Sequence, residues 1–376
     1  MNENINEKKL VDVLRSEGVD LIASLPCDRN KNFTSEIHKE FDVIDITREE
    51  DGVGICAGAF MGGRKPAMSI QSSGLGNMMN AIMSLTSLYS FPLPILASWR
   101  GVDNEKIEAQ KPFNLKLPQM LHAFGIPYAD VKDINDVGLV REMVRKAFDE
   151  NSVTVMLIRP GFWSDVSAKD QKYPIRSRRV SIHIEKEIMP PLMTRLEAIR
   201  EIMQCIGDDD VVVSNIGVPS KEVFASRDRS LNFYMLGSYT QATPIGLGIA
   251  ISTERQVFVI DGDGSILGSS VLSVAASVCP NNLTIICLDN GTFGSTGNQM
   301  NPAYLVCDTE AVAKACGIKN TLSVSDRESL RKAIRYDGNQ RDGAMFLQVL
   351  IKPSHSDSAN IGCSAKEIKK RFIGSI

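Results

Sequence analysis

The sequence predicts an α/β protein made of two doubly wound parallel-sheet domains, and three observations support this. Short apolar runs rich in β-branched residues alternate with helix-length segments, which is the pattern of βαβ units. Most of these runs end in polar turns, and several of the turns contain glycine, as at the ligand-binding edge of a parallel sheet. The alternation occurs in two successive stretches of a chain of 376 residues, more than one ordinary domain. We expect a first domain at 1–165, a linker at 166–191 and a second domain at 192–376.

Composition restricts the class of function. The chain is 43% hydrophobic and 23% charged, as in globular proteins. Its net charge of −3 argues against a nucleic-acid partner or a polybasic membrane surface. No apolar run reaches the roughly 20 residues of a membrane span, and the polar start of the sequence is unlike a secretory signal. We therefore expect a cytoplasmic protein. The eight cysteines form no CxxC motif, so neither a zinc site nor a disulfide framework is expected.

The first domain is expected to begin with a helix at 7–17 and a strand at 19–25. This strand ends in the turn Pro26-Cys27-Asp28-Arg29-Asn30. One interpretation makes Asp28 the N-cap of a following helix. The other uses its place at a strand end, where parallel sheets build their sites, and makes it a functional acid.

A second strand at 42–46 is followed by a turn that carries Glu49, Glu50 and Asp51 and by a helix of small residues at 53–62. Acidic residues in the first turn of a helix are ordinary partners of its dipole. Two of these three carboxylates therefore need no function.

The next two strands of the first domain also end in polar turns. A strand at 67–71 leads into Ser73-Gly74-Leu75-Gly76-Asn77 and a helix at 78–88. This turn is either a plain helix cap or a site for an anion such as a sulfonate or phosphonate. A strand at 93–98 ends near Arg100, a permanent cation that either binds an anion or pairs with a surface acid. A strand at 154–158 is expected to close the domain as its edge or final strand.

The second domain is expected to contain strands at 210–214, 232–236, 257–260 and 283–288, with a helix at 266–278. Its later elements are helices at 308–316 and 326–336, a strand at 344–351 and a short basic helix at 365–372.

Two turns of this domain carry a specific chemistry. Asp263 follows one strand and Asn290 the next, so their oxygens can hold one hard divalent cation, for which Mg²⁺ is a good fit. Glycines beside Asp263 allow backbone N–H groups to approach phosphate oxygens, and Ser265 is expected to open a helix whose N-terminus favours anions. The interval between the two turns accommodates one helix and one strand.

Gly262-Asp263-Gly264 followed by Asn290 resembles the signature of the thiamine-diphosphate-dependent decarboxylases. The resemblance implies the thiamine-diphosphate-binding fold, a first domain that binds the pyrimidine and a second that binds the diphosphate. It implies thiamine diphosphate and Mg²⁺ as cofactors, with the metal held by Asp263, Asn290 and the carbonyl of Thr292. The cofactor-binding residues that it implies are Glu50, Gly237, Ser238, Tyr239, Gly262, Asp263, Gly264, Ser265, Asn290, Thr292, Phe293 and Gly294.

The same resemblance assigns roles in the first domain. The pattern Arg-x-Glu-x-Gly gives Glu50 the hydrogen bond to the pyrimidine N1′ that activates the cofactor, with Glu49 as the fallback. This role requires a partly desolvated carboxyl with a raised pKa. Asp28 is the second catalytic candidate, as an acid that handles protons. Ser73, Gly74, Asn77 and Arg100 are the candidates for substrate binding.

Longer motifs sharpen the resemblance. Residues 48–59, 71–77 and 99–101 are similar to the α subunit of sulfopyruvate decarboxylases, and 214–222, 233–238 and 295–299 to the β subunit. A fusion of the two is implied, which converts 3-sulfopyruvate to sulfoacetaldehyde and CO₂ on the route to coenzyme M. Its partners would be a small anionic 2-oxo acid and further copies of the chain, as a homodimer or homotetramer with active sites between chains.

Two alternatives stay open. Phosphonopyruvate decarboxylases are similar at two of the same motifs and share the chemistry. Tyr239 and Thr240 replace the aliphatic residue and the glycine that are usual in the family, which also leaves open a non-catalytic thiamine-diphosphate-binding protein.

Overall fold

The computed structural model describes residues 5–164, 185–335, 341–354 and 356–376. The chain divides into two compact units, Met1–Val180 and Ser181–Ile376. Most of the expected linker at 166–191 lies outside the described residues. No helix in the described ranges combines the length and the apolar character needed to span a membrane.

The first unit is built on a six-stranded sheet in which every pairing is parallel. The strands are β1 Leu21–Ser24, β2 Asp42–Asp45, β3 Pro66–Gln71, β4 Leu93–Ser98, β5 Tyr128–Val131 and β6 Val153–Ile158. Their order in the sheet is β2-β1-β3-β4-β6-β5. The predicted final strand is β6, but it lies inside the sheet, because β5, a strand that the sequence analysis missed, occupies the edge.

Helices cover both faces of this sheet. The helices of the first unit are α1 Ile5–Ser16, α2 Lys31–Glu40, α3 Glu49–Met61, α4 Gly74–Ala81, α5 Lys111–Asn114, α6 Leu117–Ala123 and α7 Val137–Glu150. On one face α1, α2 and α7 share a core with sheet residues such as Ile22 and Ala67. On the other face α3 packs against β1 and β3, and its Gly52 lies against Met68. Neighbouring strand residues point to opposite faces, so Ala67 and Met68 belong to different layers.

Two helices begin four residues earlier than expected. The helix α3 includes Glu49, Glu50 and Asp51 in its first turn, where carboxylates stabilise the positive end of the dipole. The helix α4 begins at Gly74 and continues into a π-helical turn at Ile82–Ser87. The acidic and glycine-containing turns expected from the sequence are therefore partly helical.

The second unit is also built on a parallel sheet. The strands of this unit are β7 Met193–Thr194, β8 Val211–Ser214, β9 Asn232–Tyr234, β10 Val257–Gly262, β11 Leu283–Asp289, β12 Thr292–Phe293, β13 Gln299–Met300, β14 Asn320–Val324 and β15 Met345–Lys352. The order in the parallel sheet is β14-β15-β11-β10-β8-β9, with the short strand β7 paired to β15. A separate antiparallel pair, β12 and β13, follows β11 along the chain.

The helix expected at 266–278 is two helices, interrupted at residues 268–270. The first of them begins at Asp263, not at Ser265, and has only five residues. The helices of this unit are α8 Arg195–Cys205, α9 Val218–Ser226, α10 Ala242–Ala250, α11 Asp263–Leu267, α12 Val271–Val278, α13 Thr309–Ala315, α14 Arg327–Ile334 and α15 Ala365–Ile373.

The two sheets have the same topology. If β7 and the β12–β13 pair are set aside and the strands of each unit are counted along the chain, both sheets have the order 2-1-3-4-6-5. In both, the order reverses direction between strands 1 and 3, the place where open parallel sheets bind ligands. The predicted fold class, two doubly wound parallel-sheet domains, is confirmed.

Candidate active site

In the first unit, the carboxyl ends of three neighbouring strands bring Asp28, Ser73 and Arg100 to one edge of the sheet. The strand β3 lies between β1 and β4, with Ser24 opposite Ser69 and Gln71 opposite Ser98. The three candidate residues follow these strand ends by two to four positions. Parallel pairing therefore gathers side chains that are far apart in the sequence.

Arg100 is held by two carboxylates. Its side chain is 3% exposed, its Nε donates to Glu105 at 2.7 Å, and its Nη1 donates to Asp28 at 2.5 Å. The bond with Glu105 is the main reason that the pKa of Arg100 is raised above its ordinary value. The same bond lowers the pKa of Glu105 to about 2. Both groups are therefore charged at neutral pH.

Asp28 is not the N-cap of the following helix, contrary to one of its two interpretations. The N-cap of α2 is Asn30, and its side-chain oxygen accepts from the N–H of Cys27. Asp28 is instead 66% exposed at its side chain and faces Arg100. Its exposed carboxylate is therefore accessible to a ligand that binds at this edge of the sheet.

Ser73 belongs to a polar network next to Arg100. Its hydroxyl donates to Gln110 at 2.8 Å and accepts from Asn114 at 3.0 Å. The backbone N–H of Arg100 donates to the hydroxyl of Ser72 at 3.0 Å, and that hydroxyl donates to the same Asn114. The side chain of Ser73 and the backbone of Arg100 are in this way fixed in one set of hydrogen bonds.

Glu50 and Glu49 occupy the same helical turn but have different partners. Glu50 accepts two hydrogen bonds from Arg48, at 3.0 and 2.7 Å. Its pKa is raised because burial outweighs the attraction of Arg48. Glu49 accepts from Asn77 at 3.1 Å, and a Cβ at position 74 would come within 2.3 Å of its carboxylate. The four substrate candidates therefore fall into two groups, Ser73 with Arg100 and Gly74 with Asn77.

In the second unit, Asp263 and Asn290 stand at the ends of paired strands. Gly262 lies opposite Leu288 in the β10–β11 pairing. Asp263 is 3% exposed and accepts from the amide of Asn301 at 2.7 Å. Burial raises its pKa to about 7, and the nearby charge of Asp289 acts in the same direction.

This arrangement fits a magnesium ion by the chemistry of its donors. The ion would take oxygens from Asp263, from the side chain of Asn290 and from the carbonyl of Thr292, all of the hard type that Mg²⁺ prefers. The turn is compact, because the side-chain oxygen of Asn290 accepts from the N–H of Thr292 at 2.9 Å. A cation beside Asp263 would offset the cost of burying its charge.

The glycines of these turns allow close approach. A Cβ at Gly264 would come within 2.7 Å of the ring of Phe293, and a Cβ at Gly294 within 3.2 Å of the side chain of Asn290. Ser265 is buried inside α11. Because that helix has five residues, it carries little of the dipole that the sequence analysis expected at Ser265.

The segment 237–240 is held in an uncommon backbone conformation. Ser238 and Thr240 have φ values of 71° and 72°, in the left-handed region that favours glycine. The hydroxyl of Tyr239 donates to the carbonyl of Gly264 at 2.5 Å, which ties the segment to the turn at Asp263. The hydroxyl of Ser238 is buried without a hydrogen-bond partner. A polar group of a bound cofactor would satisfy it, so the segment fits a cofactor contact.

The sequence analysis missed the residues that form hydrogen bonds with the candidate site residues. Glu105 holds Arg100 and Asn301 holds Asp263. Arg48, the partner of Glu50, stood in a quoted motif but received no role. Glu105 and Asn301 lie outside the recognised motifs, and no spacing rule identifies them.

Comparisons with known proteins match both halves of the chain. Residues 7–124 match the model of the thiamine pyrophosphate enzyme N-terminal TPP-binding domain. Residues 219–349 match the model of the C-terminal TPP-binding domain. Among solved structures, a benzoylformate decarboxylase from Polynucleobacter necessarius superposes with a TM-score of 0.68, at 13% identity over 93% of this chain and 99% of that one. At that identity the likeness shows the fold alone.

Curated relatives extend over the whole chain. A sulfopyruvate decarboxylase of Methanosarcina acetivorans is 41% identical over 97% of this chain and 96% of its own length. In Methanococcus maripaludis, the α subunit of sulfopyruvate decarboxylase is 36% identical over 39% of this chain and 89% of its own. The β subunit is 38% identical over 49% of this chain and 98% of its own. A phosphonopyruvate decarboxylase of Streptomyces viridochromogenes is 28% identical over 98% of this chain and 94% of its own.

Proposed function

This chain belongs to the sulfopyruvate decarboxylase family of thiamine-diphosphate-dependent enzymes, and from this membership we propose that it decarboxylates 3-sulfopyruvate to sulfoacetaldehyde and CO₂. The observation that carries the proposal is the 41% identity to such an enzyme over nearly the full length of both chains. The chain corresponds to an α subunit and a β subunit joined head to tail. We propose that it acts on the route to coenzyme M.

The first unit supports the proposal through its cation and its buried acid. Arg100 and Ser73 would bind the sulfonate, because a buried guanidinium and a hydroxyl whose network includes the backbone of Arg100 suit a tetrahedral anion. Glu50 would hold its proton close to the pyrimidine ring of the cofactor, and its raised pKa suits that task. Asp28 would be the second acid of the site.

The second unit would hold the cofactor and its metal. Thiamine diphosphate, when bound, supplies the nucleophilic carbon and the electron sink that decarboxylation of a 2-oxo acid requires. Asp263, Asn290 and the carbonyl of Thr292 would hold Mg²⁺ against the diphosphate. Backbone groups of the compact turns would approach the phosphates, with Gly262 and Gly294 leaving the room for this.

The assembly and the location are also proposals. We propose a homodimer or homotetramer with active sites between chains, which sedimentation or light scattering would test. The cytoplasmic location expected from the sequence would be tested by cell fractionation.

The decisive experiment compares CO₂ release from sulfopyruvate, phosphonopyruvate and pyruvate in the presence of Mg²⁺ and thiamine diphosphate. Glu50→Gln should lower the rate with sulfopyruvate by at least about 100-fold, because a general acid–base group is lost. Glu49→Gln is the matched control in the same helical turn and should keep most of the activity.

Each outcome has a distinct meaning. A preference for phosphonopyruvate would transfer the assignment to the enzyme class of the Streptomyces relative. Bound cofactor without CO₂ release from any of the three acids would refute a decarboxylase and favour a non-catalytic binder. The observation that favours a non-catalytic binder is the left-handed backbone of Ser238 and Thr240, which flank Tyr239.

A further inference from the structure

We infer that Asp28 occupies the place on Arg100 that the sulfonate of the substrate takes. Substrate binding would then displace Asp28, while Glu105 keeps Arg100 in position. The inference rests on the proposed function, because it assigns the sulfonate of the substrate to Arg100.

The two carboxylates that contact Arg100 are not equivalent, and Glu105 is the fixed one. Its side chain is 1% exposed. Besides accepting from Arg100, it accepts from the N–H of Ile107 at 3.1 Å and lies 3.5 Å from Arg29. Separating a buried pair leaves an uncompensated charge in a poorly solvated place and is strongly unfavourable. Glu105 is therefore a positioning residue for Arg100.

Asp28 is the exchangeable partner. Its side chain is 66% exposed, and apart from Arg100 the described contact of its carboxylate is a weak one with the thiol of Cys27 at 3.3 Å. An ion pair that is open to water on one side contributes little to stability, because water solvates the separated carboxylate well. Another anion can take its place on the guanidinium at small cost.

The local charge shows why displacement is needed. Arg29 and Arg100 carry two positive charges, and Asp28 and Glu105 carry two negative charges, so the cluster is neutral when Asp28 is in place. A sulfonate would gain little by approaching a neutral cluster. When Asp28 turns into solvent, Arg100 presents a free face with charge-assisted donors.

The position of Asp28 is also connected to Ser73. The thiol of Cys27 contacts both Asp28 at 3.3 Å and Gln71 at 3.5 Å. The amide of Gln71 then donates to the hydroxyl of Ser73 at 3.2 Å. An anion that replaces Asp28 on Arg100 would therefore also come next to the hydrogen-bond network of Ser73.

Displacement also bears on product release. The product of the proposed reaction keeps its sulfonate, so Asp28 competes with the product as it does with the substrate. The return of Asp28 to Arg100 would assist release of the product and set the affinity of the site for anions.

The test measures binding by the full chain, loaded with thiamine diphosphate and Mg²⁺, of 3-sulfopropanoate, which lacks the 2-oxo group and cannot be decarboxylated. Isothermal titration should show that Asp28→Asn binds it about two- to fivefold more tightly than wild type, the range of an exposed ion pair. Asp42→Asn is the matched control. Asp42 is a 71% exposed aspartate on Arg64, at the amino end of β2, and its replacement should leave the affinity unchanged.

One further measurement tests the role of Glu105. Glu105→Asp keeps the negative charge but withdraws it from Arg100, and should weaken 3-sulfopropanoate binding several-fold. Unchanged affinity in Glu105→Asp would remove Glu105 from its positioning role.

Unchanged affinity for 3-sulfopropanoate in Asp28→Asn would overturn the inference while leaving the decarboxylase intact. A fall in kcat together with that unchanged affinity would make Asp28 a proton-handling acid. Absence of CO₂ release from sulfopyruvate by the wild type would instead refute the proposed function, so the two failures can be told apart.

Discussion

At the scale of single residues, the candidate carboxylates are stabilised in different ways. Glu105 and Glu50 each accept from an arginine. Asp263 accepts from the neutral amide of Asn301 and lies near the charge of Asp289. Burial therefore dominates at Asp263 and raises its pKa to about 7. The metal-free chain should be destabilised wherever this carboxyl is forced to ionise.

Replacing Asp263 by asparagine tests whether ionisation of this carboxyl destabilises the metal-free chain. In the folded metal-free chain its pKa is about 7, against an ordinary value of 3.8. A raised pKa means that the folded state holds the proton more tightly. The stability that the protonated carboxyl contributes is therefore present below pH 4 and is lost as the pH rises through 7. Asp263→Asn should therefore stabilise the metal-free chain relative to wild type by an amount that grows over this range, up to about 4 kcal/mol. Urea unfolding at pH 5 and pH 8 measures it.

The control for this experiment is Asp209→Asn, because the side chain of Asp209 is 99% exposed. Its effect on the free energy of unfolding should not change between the two pH values. An effect of Asp263→Asn that is equally independent of pH would show that burial does not penalise the charge of Asp263.

The sequence predicted positions better than contacts at this scale. Asp263, Asn290 and Arg100 were placed at strand ends because polar turns follow apolar runs, and the structure has them there. Their partners could not be predicted, since Glu105 and Asn301 come from loops whose course depends on the whole fold. The contact between Asp28 and Arg100 joins residues 72 positions apart, and no local pattern encodes it.

At the scale of elements, the apolar strands β4, β6 and β11 were predicted, whereas the helix α10 and the edge strand β5 were missed. The helix α10 (ATPIGLGIA) is buried along its whole length, so it has no polar face to produce a helical period. The strand β5 has only one fully buried residue, Val131. Its alternation of apolar and polar residues was too weak to identify it as a strand.

The contact between α10 and β10 depends on a glycine. A Cβ at Gly246 would come within 2.1 Å of Val259 and within 3.7 Å of Leu283. Gly246→Ala should therefore destabilise the protein by about 1–3 kcal/mol, because the helix must move away from the sheet. Thermal or denaturant unfolding measures the change.

Gly138→Ala is the matched control in another helix. Position 138 lies in the first turn of α7, and a Cβ there would meet no atom within 4 Å. The substitution should be neutral or stabilising by up to about 1 kcal/mol, because alanine favours the helix. If both variants had the same stability, close packing at Gly246 would not be the cause.

At the scale of the whole molecule, the sequence predicted the architecture but not the order of the strands. Alternation of strands and helices is a local pattern, and two stretches of it predict two α/β units. Strand order depends on pairings between distant segments, such as β6 between β4 and β5. Local patterns cannot specify these.

Each unit has its own sheet, and the first has its own core formed by α1, α2 and α7. We therefore expect residues 1–165 and 185–376 to fold when produced as separate polypeptides. Circular dichroism during heating should show a cooperative transition for each. A cut inside α10, after residue 246, is the control and should leave an unfolded fragment. Failure of either intact half to melt cooperatively would contradict the expectation.

The common strand order has a consequence for the history of the gene. The segment that follows the second strand carries Glu50 in one unit, in the first turn of α3, and Tyr239 in the other, and the loops after the fourth strand carry Arg100 and Asn290. Duplication of an ancestral coding segment, followed by divergence of the loops, would leave this one-to-one correspondence. The separate α and β subunits of Methanococcus maripaludis would then correspond to the two copies before fusion, and this chain to their fused form.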